Sequence, residues 1–520
     1  MSDQSGASSS DVKAGHLLVE HTDGRVELAD DSLIKSSPFY NHDLAPVKVA
    51  ARNWSTYNYV ALWFAMAACI PTYMMSSGLI ASGMNAGQAI FTILLGNTIV
   101  LVPILLNSHP GTKYGIPFPV FARAAYGTMG SNLPALMRAL VACGWFGIQA
   151  WIGGQAFDTM FNALCSAVSG GAVNWHTLLG GPYFDYTGTE WLSFLLFWCL
   201  NILIVFRGMN VLKKVESLAA PFVLVMTFAL LCWTVSRAHG IGDLLHQQSK
   251  FATMADFWKV FIPSLTAMIG FWATLSLNMP DFTRFGRSQK EQTTGQIIAL
   301  PTAMAIFSSM GVVITSAAVT IFPTVAMDQL WDPVKLIGRL GQDQPFVVAI
   351  AMFTVALATL SVNVAANVVS PANDFANAFP RLITFKTGGL ITGLVGLLMQ
   401  PWRLIADPSG YIFVWLQGYS GGLGSIAGVL IADYWIIRKT RLDLADLYLT
   451  EGSYTYTSGW NFKAVAATVI GCACAWIGAL VPALKTFYDY GWFVGFFTSL
   501  AVYVALMRMG GNPSANTNSL

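Results

Sequence analysis

From residue 55 onward the chain is a succession of long apolar runs separated by short polar connectors. A helix needs about 20 mostly apolar residues to cross the hydrocarbon core of a bilayer. Twelve stretches meet that need: 55–80, 86–106, 133–163, 190–206, 216–236, 257–280, 294–322, 344–372, 386–402, 410–437, 462–484 and 487–507. The fourth and ninth are short. The pattern predicts an all-α polytopic membrane protein of about twelve transmembrane helices. The connectors leave no room for a further folded unit, so 41–508 reads as one transmembrane domain. Residues 1–40 are polar and rich in Ser and Asp, which predicts a mostly disordered tail. Residues 509–520 predict a second short tail.

Composition agrees with this reading. Hydrophobic residues make up 55% of the chain and charged residues 10%, against about 25% charge in a typical soluble domain. The start of the chain lacks a basic segment followed by an apolar run, so no secretory leader is expected. The seven Cys all lie in apolar runs without metal-ligand spacing and read as free thiols. Net charge says little, but its placement says more. With the N-terminus inside, only Arg237, Lys250, Lys259, Lys335, Arg339, Arg403 and Lys485 fall outside, which leaves 21 of the 28 basic residues inside. The positive-inside rule then predicts both termini in the cytoplasm, in the inner (plasma) membrane.

Two spans carry helix-breaking residues near their middles or ends. The first contains Ala67-Ala68-Cys69-Ile70-Pro71, where proline removes a backbone donor and disfavours helix at Ile70. The sixth contains Gly270 and ends in Asn278-Met279-Pro280. Unwound backbone in lipid is tolerated only where it lines a cavity. Breaks five spans apart therefore predict a five-plus-five inverted repeat with a midplane site, against the simpler alternative of two proline kinks.

Polar and aromatic residues gather near the same depth. Trp145 and Gln149 are four apart in the third span and share one helix face. An indole offers a flat π-surface, and a carboxamide offers both a donor and an acceptor. Trp272 follows Gly270 in the sixth span, and Asn363 and Asn367 are four apart in the eighth. Polar side chains at mid-membrane normally face the bundle interior. The competing readings are interfacial anchoring for Trp and inter-helix hydrogen bonding for Asn and Gln.

These residues sit in an ordered series of motifs. The series includes Asn41-His-Asp-Leu-Ala-Pro46, Trp63-Phe-Ala-Met66, Trp145-Phe-Gly-Ile-Gln149 and Asn278-Met-Pro-Asp-Phe282. It continues with Asn363-Val-Ala-Ala-Asn-Val-Val-Ser-Pro371, Gly396-Leu-Leu-Met-Gln-Pro-Trp402 and Ile431-Ala-Asp-Tyr434. In this order and spacing the chain resembles nucleobase–cation symporter family 1, the purine, pyrimidine, allantoin and hydantoin permeases, from about Asn41 to Met509.

The resemblance implies a leucine-transporter-like fold of ten core helices plus two C-terminal ones. It implies a small planar heterocycle held between Trp145 and Trp272, with Gln149 and Asn367 on its polar edge and Asn363 beside them. Cys69 stands where the hydantoin branch has a substrate-facing Gln, and Pro71-Thr72-Tyr73 and Asn373-Asp374-Phe375 look more like the allantoin and uracil branch. The resemblance also implies a cation site on carbonyls of Ala65, Ala68 and Ala358 with the Ser361 hydroxyl. Val362 replaces the second hydroxyl, which favours proton coupling or weak sodium dependence; the alternative is a sodium-coupled hydantoin carrier in which water replaces that hydroxyl.

Charged residues near the core complete the expectations. Asp158 is either a proton site or a residue near the outer end of its span. Arg52 is expected to pair with Asp281 or Asp374 as an inner gate, or to form an ordinary solvated pair. All seven His (16, 21, 42, 109, 176, 239 and 246) are expected in tails or loops, and no paired-carboxylate or nucleophile–base set lies within the spans. This argues against an enzyme. No repeated filter or charged ring points to a channel, which leaves a channel or receptor as the alternative to a permease. The expected partners are the solute and the lipid bilayer, with no cofactor, resident metal or nucleic acid, and a monomer is expected to suffice.

Overall fold

The computed structural model describes residues 18–207, 225–240, 248–325, 330, 332–340, 344–407 and 409–509. A two-stranded hairpin, β1 (Leu18–Glu20) and β2 (Val26–Leu28), opens the described chain. Helices α1 (Thr56–Ala67), α2 (Ile70–Ala81), α3 (Ala86–Tyr114), α4 (Phe118–Tyr126), α5 (Asn132–Ser169) and α6 (Gly188–Arg207) follow. Next come α7 (Val225–Arg237), α8 (Met254–Asn278), α9 (Gln289–Ile321) and the short α10 (Pro333–Leu340). The remainder is α11 (Pro345–Asn367), α12 (Val369–Ala378), α13 (Phe385–Leu398), α14 (Gly410–Ile437), α15 (Phe462–Leu480) and α16 (Gly491–Met509).

Among the described residues nine helices are long and apolar enough to cross a membrane, counting α11 and α12 as one. The bent pair α1–α2 makes a tenth. The fifth expected span, 216–236, lies partly outside the described residues, and α7 is its described part. The ninth, 386–402, is the shorter α13.

Local sequence explains many boundaries. Asn85 caps α3 by accepting from Gln88 N at 2.9 Å, while Gln88 Oε1 accepts from Asn85 N at 3.1 Å, a reciprocal pair that satisfies two otherwise free amides. Gly115 ends the helix with φ 72°, a left-handed position glycine takes without Cβ strain.

The helices sort into three groups by packing. The pair α1–α2 lies against α9, and α3 packs on both α8 and α9. A second group joins α5 to α6, α11, α12 and α13. Small residues permit its closest approaches: a Cβ on Gly147 of α5 would meet Gly396 O of α13 at 2.4 Å. A third group, α14–α16, leans on α8 through α14. The first two groups touch sparsely, where α1 meets α11 and α5 meets α8.

The structure corrects the expected disorder of 1–40 over 18–40; residues 1–17 and 510–520 lie outside the described residues. The hairpin pairs Leu18 with Leu28, and it buries Val26 and Leu28 while Ile34 is buried just beyond it. Polar anchors supply what its composition lacks. Lys48 Nζ donates to Leu28 O at 2.6 Å, and Glu27 Oε2 accepts from Val49 N at 2.7 Å. Beyond the hairpin, Asn41 Nδ2 donates to Pro380 O at 2.8 Å and Tyr448 OH to Leu44 O at 2.7 Å.

The sixth span is also corrected. α8 runs unbroken through Gly270, and Met279 keeps helical angles (φ −55°, ψ −28°) into a turn at Pro280–Thr283. Pro280 supplies no amide to Ser276 O, but Asn107 Nδ2 of α3 donates to that carbonyl at 2.7 Å. The helix therefore loses a donor without unwinding. His109, expected in a loop, lies inside α3 and bonds Tyr434 OH at 2.8 Å.

Candidate functional site

The break between α1 and α2 bends the first span by 56°. Ala68 has φ −77° and ψ 61°, and Cys69 is extended at φ −136° and ψ 157°. Cys69 N turns to Ala67 O at 2.9 Å and Thr72 N to Cys69 O at 3.1 Å. A continuous helix would give those amides to Ala65 O and Ala68 O. The break thus takes the helical amides away from the two carbonyls that the family resemblance assigns to a cation. Their expected partners, Ala358 and Ser361, lie on α11.

A cavity opens beside this break. Cys69 and Pro71 line it from the first span, Trp145 and Gln149 from α5, Phe271 and Trp272 from α8, and Val362 and Asn367 from α11. Four of the six expected solute residues therefore come from three further helices to meet Cys69. The free space is about 40 Å³, little more than one water occupies in the liquid. The walls must part for a ring to enter.

The indoles keep flat faces available. Trp145 meets Phe271, Tyr411 and Trp415 at interplanar angles of 87°, 89° and 72°. Trp272 meets Trp63 and Phe271 at 87° and 80°. None of these described contacts is stacked, so a planar solute has no parallel ring to displace. Polar capacity is also open. Gln149 Oε1 and Trp272 Nε1 are buried without a hydrogen-bond partner among the described residues, a cost that a matching solute removes.

Asn363 is the sixth, and it does not line the cavity. It is fully buried and donates through Nδ2 to Asn201 Oδ1 at 3.1 Å and Phe146 O at 3.3 Å. Its Oδ1 accepts from Asn367 Nδ2 at 3.1 Å. Asn363 thus fixes the Asn367 amide, which presents its remaining carbonyl oxygen as an acceptor. The four-residue spacing in the sequence is real but serves orientation.

Arg52 pairs with neither Asp281 nor Asp374. Its guanidinium donates to Val47 O (2.9 Å), Val26 O (2.8 Å), Thr112 O (3.1 Å) and Lys113 O (3.1 Å). The last two are final-turn carbonyls of α3, where helix ends attract cations. Burial pushes Arg52 down to about 10, so it stays charged at neutral pH. Asp374 instead pairs with Arg138 of α5 at 3.3 Å, both side chains buried, and Asp281 accepts from Phe118 N at 2.9 Å. Asp158 accepts from Trp175 Nε1 at 2.7 Å and lies 3.2 Å from His176 Nδ1. It is tied to the loop after α5, nine residues or about 13 Å beyond Gln149.

Two residues unforeseen in the sequence touch the site from α14. Tyr411 OH donates to Pro71 O at 3.1 Å. Tyr419 OH accepts from Trp145 Nε1 at 3.2 Å and donates to Gly270 O at 2.9 Å. Their only sequence signal was an aromatic pair eight residues apart in the tenth span.

The family described as permease for cytosine/purines, uracil, thiamine, allantoin matches residues 46–495. The allantoin permease of Bacillus subtilis (strain 168) is 40% identical over 490 residues, covering 92% of this chain and 95% of that permease. The purine-uracil permease NCS1 of Arabidopsis thaliana is 39% identical over 491 residues, covering 92% and 80%. A solved structure of Mhp1, a nucleobase-cation-symport-1 family transporter, in a closed conformation with bromovinylhydantoin bound, matches with a TM-score of 0.72 at 26% identity. That match covers 91% of this chain and 96% of the other.

Proposed function

The chain belongs to the family of permeases for cytosine/purines, uracil, thiamine and allantoin, and on that premise we propose that it imports a small planar nitrogen heterocycle of allantoin or uracil type. The ring binds between Trp145 and Trp272, and cation-coupled alternating access carries it across. The observation that carries this reading is the pair of indoles without stacked neighbours among the described residues, beside the open acceptor of Gln149. Gln149 and Asn367 take the N–H and C=O groups along one edge of the ring. The sparse seam between the α1–α3–α8–α9 group and the α5–α6–α11 group supports rocking of one group on the other. The basic residues favour cytoplasmic termini. Val362 offers no side-chain oxygen to a cation, which favours a proton as the driving ion.

The test is uptake into vesicles with a competition panel of allantoin, hydantoins, uracil, cytosine, thymine and purines. One compound should compete with saturation, and preloaded solute should show counterflow, which a channel lacks. Trp145→Ala and Asn367→Ala should each abolish uptake while the protein still inserts. Unchanged uptake in either variant removes the site assignment.

A further inference from the structure

We propose that Tyr419 is a positioning residue of the ring site, whose hydroxyl holds the Trp145 indole plane in place by tying it to the backbone of α8. This rests on the reading of Trp145 as a solute platform. An indole N–H only donates and a carbonyl only accepts. A group placed between Trp145 Nε1 and Gly270 O must therefore do both. The Tyr419 hydroxyl does so, accepting at 3.2 Å and donating at 2.9 Å. Phenylalanine at this position removes both bonds and keeps the ring, which packs on Trp415 at 5.0 Å.

The arrangement requires α14 to lie close against α8, and Gly270 permits it. A Cβ at Gly270 would meet Leu416 O at 2.6 Å and Ser420 Cβ at 3.2 Å. The π-helical turns at Gly410–Leu416 end three residues before Tyr419. The platform of one helix group is thus pinned to a second group through a residue of the third.

The Trp145 N–H is committed to Tyr419, so Trp145 offers a solute only its face. Its edge contacts with Phe271, Tyr411 and Trp415 restrict the ring by packing alone. The hydroxyl adds the directional restraint that stops rotation about the Cβ–ring bond. A solute that stacks on a freely tilting indole loses the alignment of its polar edge with Gln149 and Asn367.

A double-mutant cycle tests this on the full chain in lipid nanodiscs, with radiolabelled allantoin and uracil as binding probes. Tyr419→Phe should weaken binding about five- to tenfold, the scale of one positioned hydrogen bond. KM for uptake should rise in parallel while the maximal rate holds. Trp145→Phe keeps a flat ring without the N–H, and on that background Tyr419→Phe should cost nothing further. Binding by Tyr419→Phe equal to that of the unaltered chain overturns the proposal. A penalty that persists in full on Trp145→Phe also overturns it, because it places the effect at Gly270 O alone. Binding untouched by both Trp145→Phe and Trp145→Ala overturns instead the ring-site reading beneath it.

Discussion

Replacing Gln149 with leucine should move stability and binding in opposite directions. Its Oε1 is buried without a partner among the described residues, and an unsatisfied buried acceptor costs about 1–3 kcal/mol. Leucine is close to glutamine in size and carries no polar atom. Gln149→Leu should therefore leave the solute-free protein as stable as before or up to about 1–3 kcal/mol more stable. The bound solute meets the reverse situation, because its own polar edge then faces a methyl group. Losing that match should weaken binding by about 1–3 kcal/mol, or roughly 5- to 150-fold in Kd. The assay is thermal unfolding of the purified chain with and without the best competitor from the uptake panel, alongside equilibrium binding. In the unaltered chain the solute raises Tm by mass action, and in Gln149→Leu that rise should shrink at the same concentration. A variant that melts lower without solute, yet binds as before, would show that Gln149 is structural glue and refute the argument.

Two further outcomes follow from the charged residues and the cation site. Arg138→Met should destabilise the fold by about 3–5 kcal/mol, because it leaves the Asp374 carboxylate buried and uncompensated; adding Asp374→Asn should restore most of that loss in chemical unfolding, and no recovery would mean the pair is not the cause. Uptake should collapse with a proton uncoupler and persist when choline replaces sodium, since Val362 brings no side-chain oxygen to the α1–α11 site; a steep sodium requirement without any uncoupler effect would reverse the assignment.

Much of the architecture could be read from short-range pattern. Apolar runs of about 20 residues decide which segments prefer lipid, because each must satisfy its backbone internally. The break before Pro71 was legible for the same reason. A missing amide is a covalent fact: Pro71 has none to give Ala67 O, which takes the Cys69 amide at 2.9 Å instead. Trp145 with Gln149 was legible because four-residue spacing alone places them on one face.

What the sequence left open depends on distant partners. The break expected at Pro280 did not form because Asn107, 169 residues from Ser276, donates to the freed carbonyl. The N-terminal hairpin is held by Lys48, Val49 and Arg52, 20 to 26 residues further on, though its own composition is that of a tail. Arg138 with Asp374 and Trp145 with Tyr419 join residues 236 and 274 positions apart. No local periodicity carries such pairs, since they exist only once three helix groups have packed. The sequence by itself determined a many-spanned helical protein, a broken first span, and two indoles and two amides fit for a flat solute. The tertiary structure alone decided which amide faces the cavity, which arginine is buried with a carboxylate, and which hydroxyl holds the Trp145 ring. Those choices turn on distances of about 3 Å between separate helices, and only packing sets them.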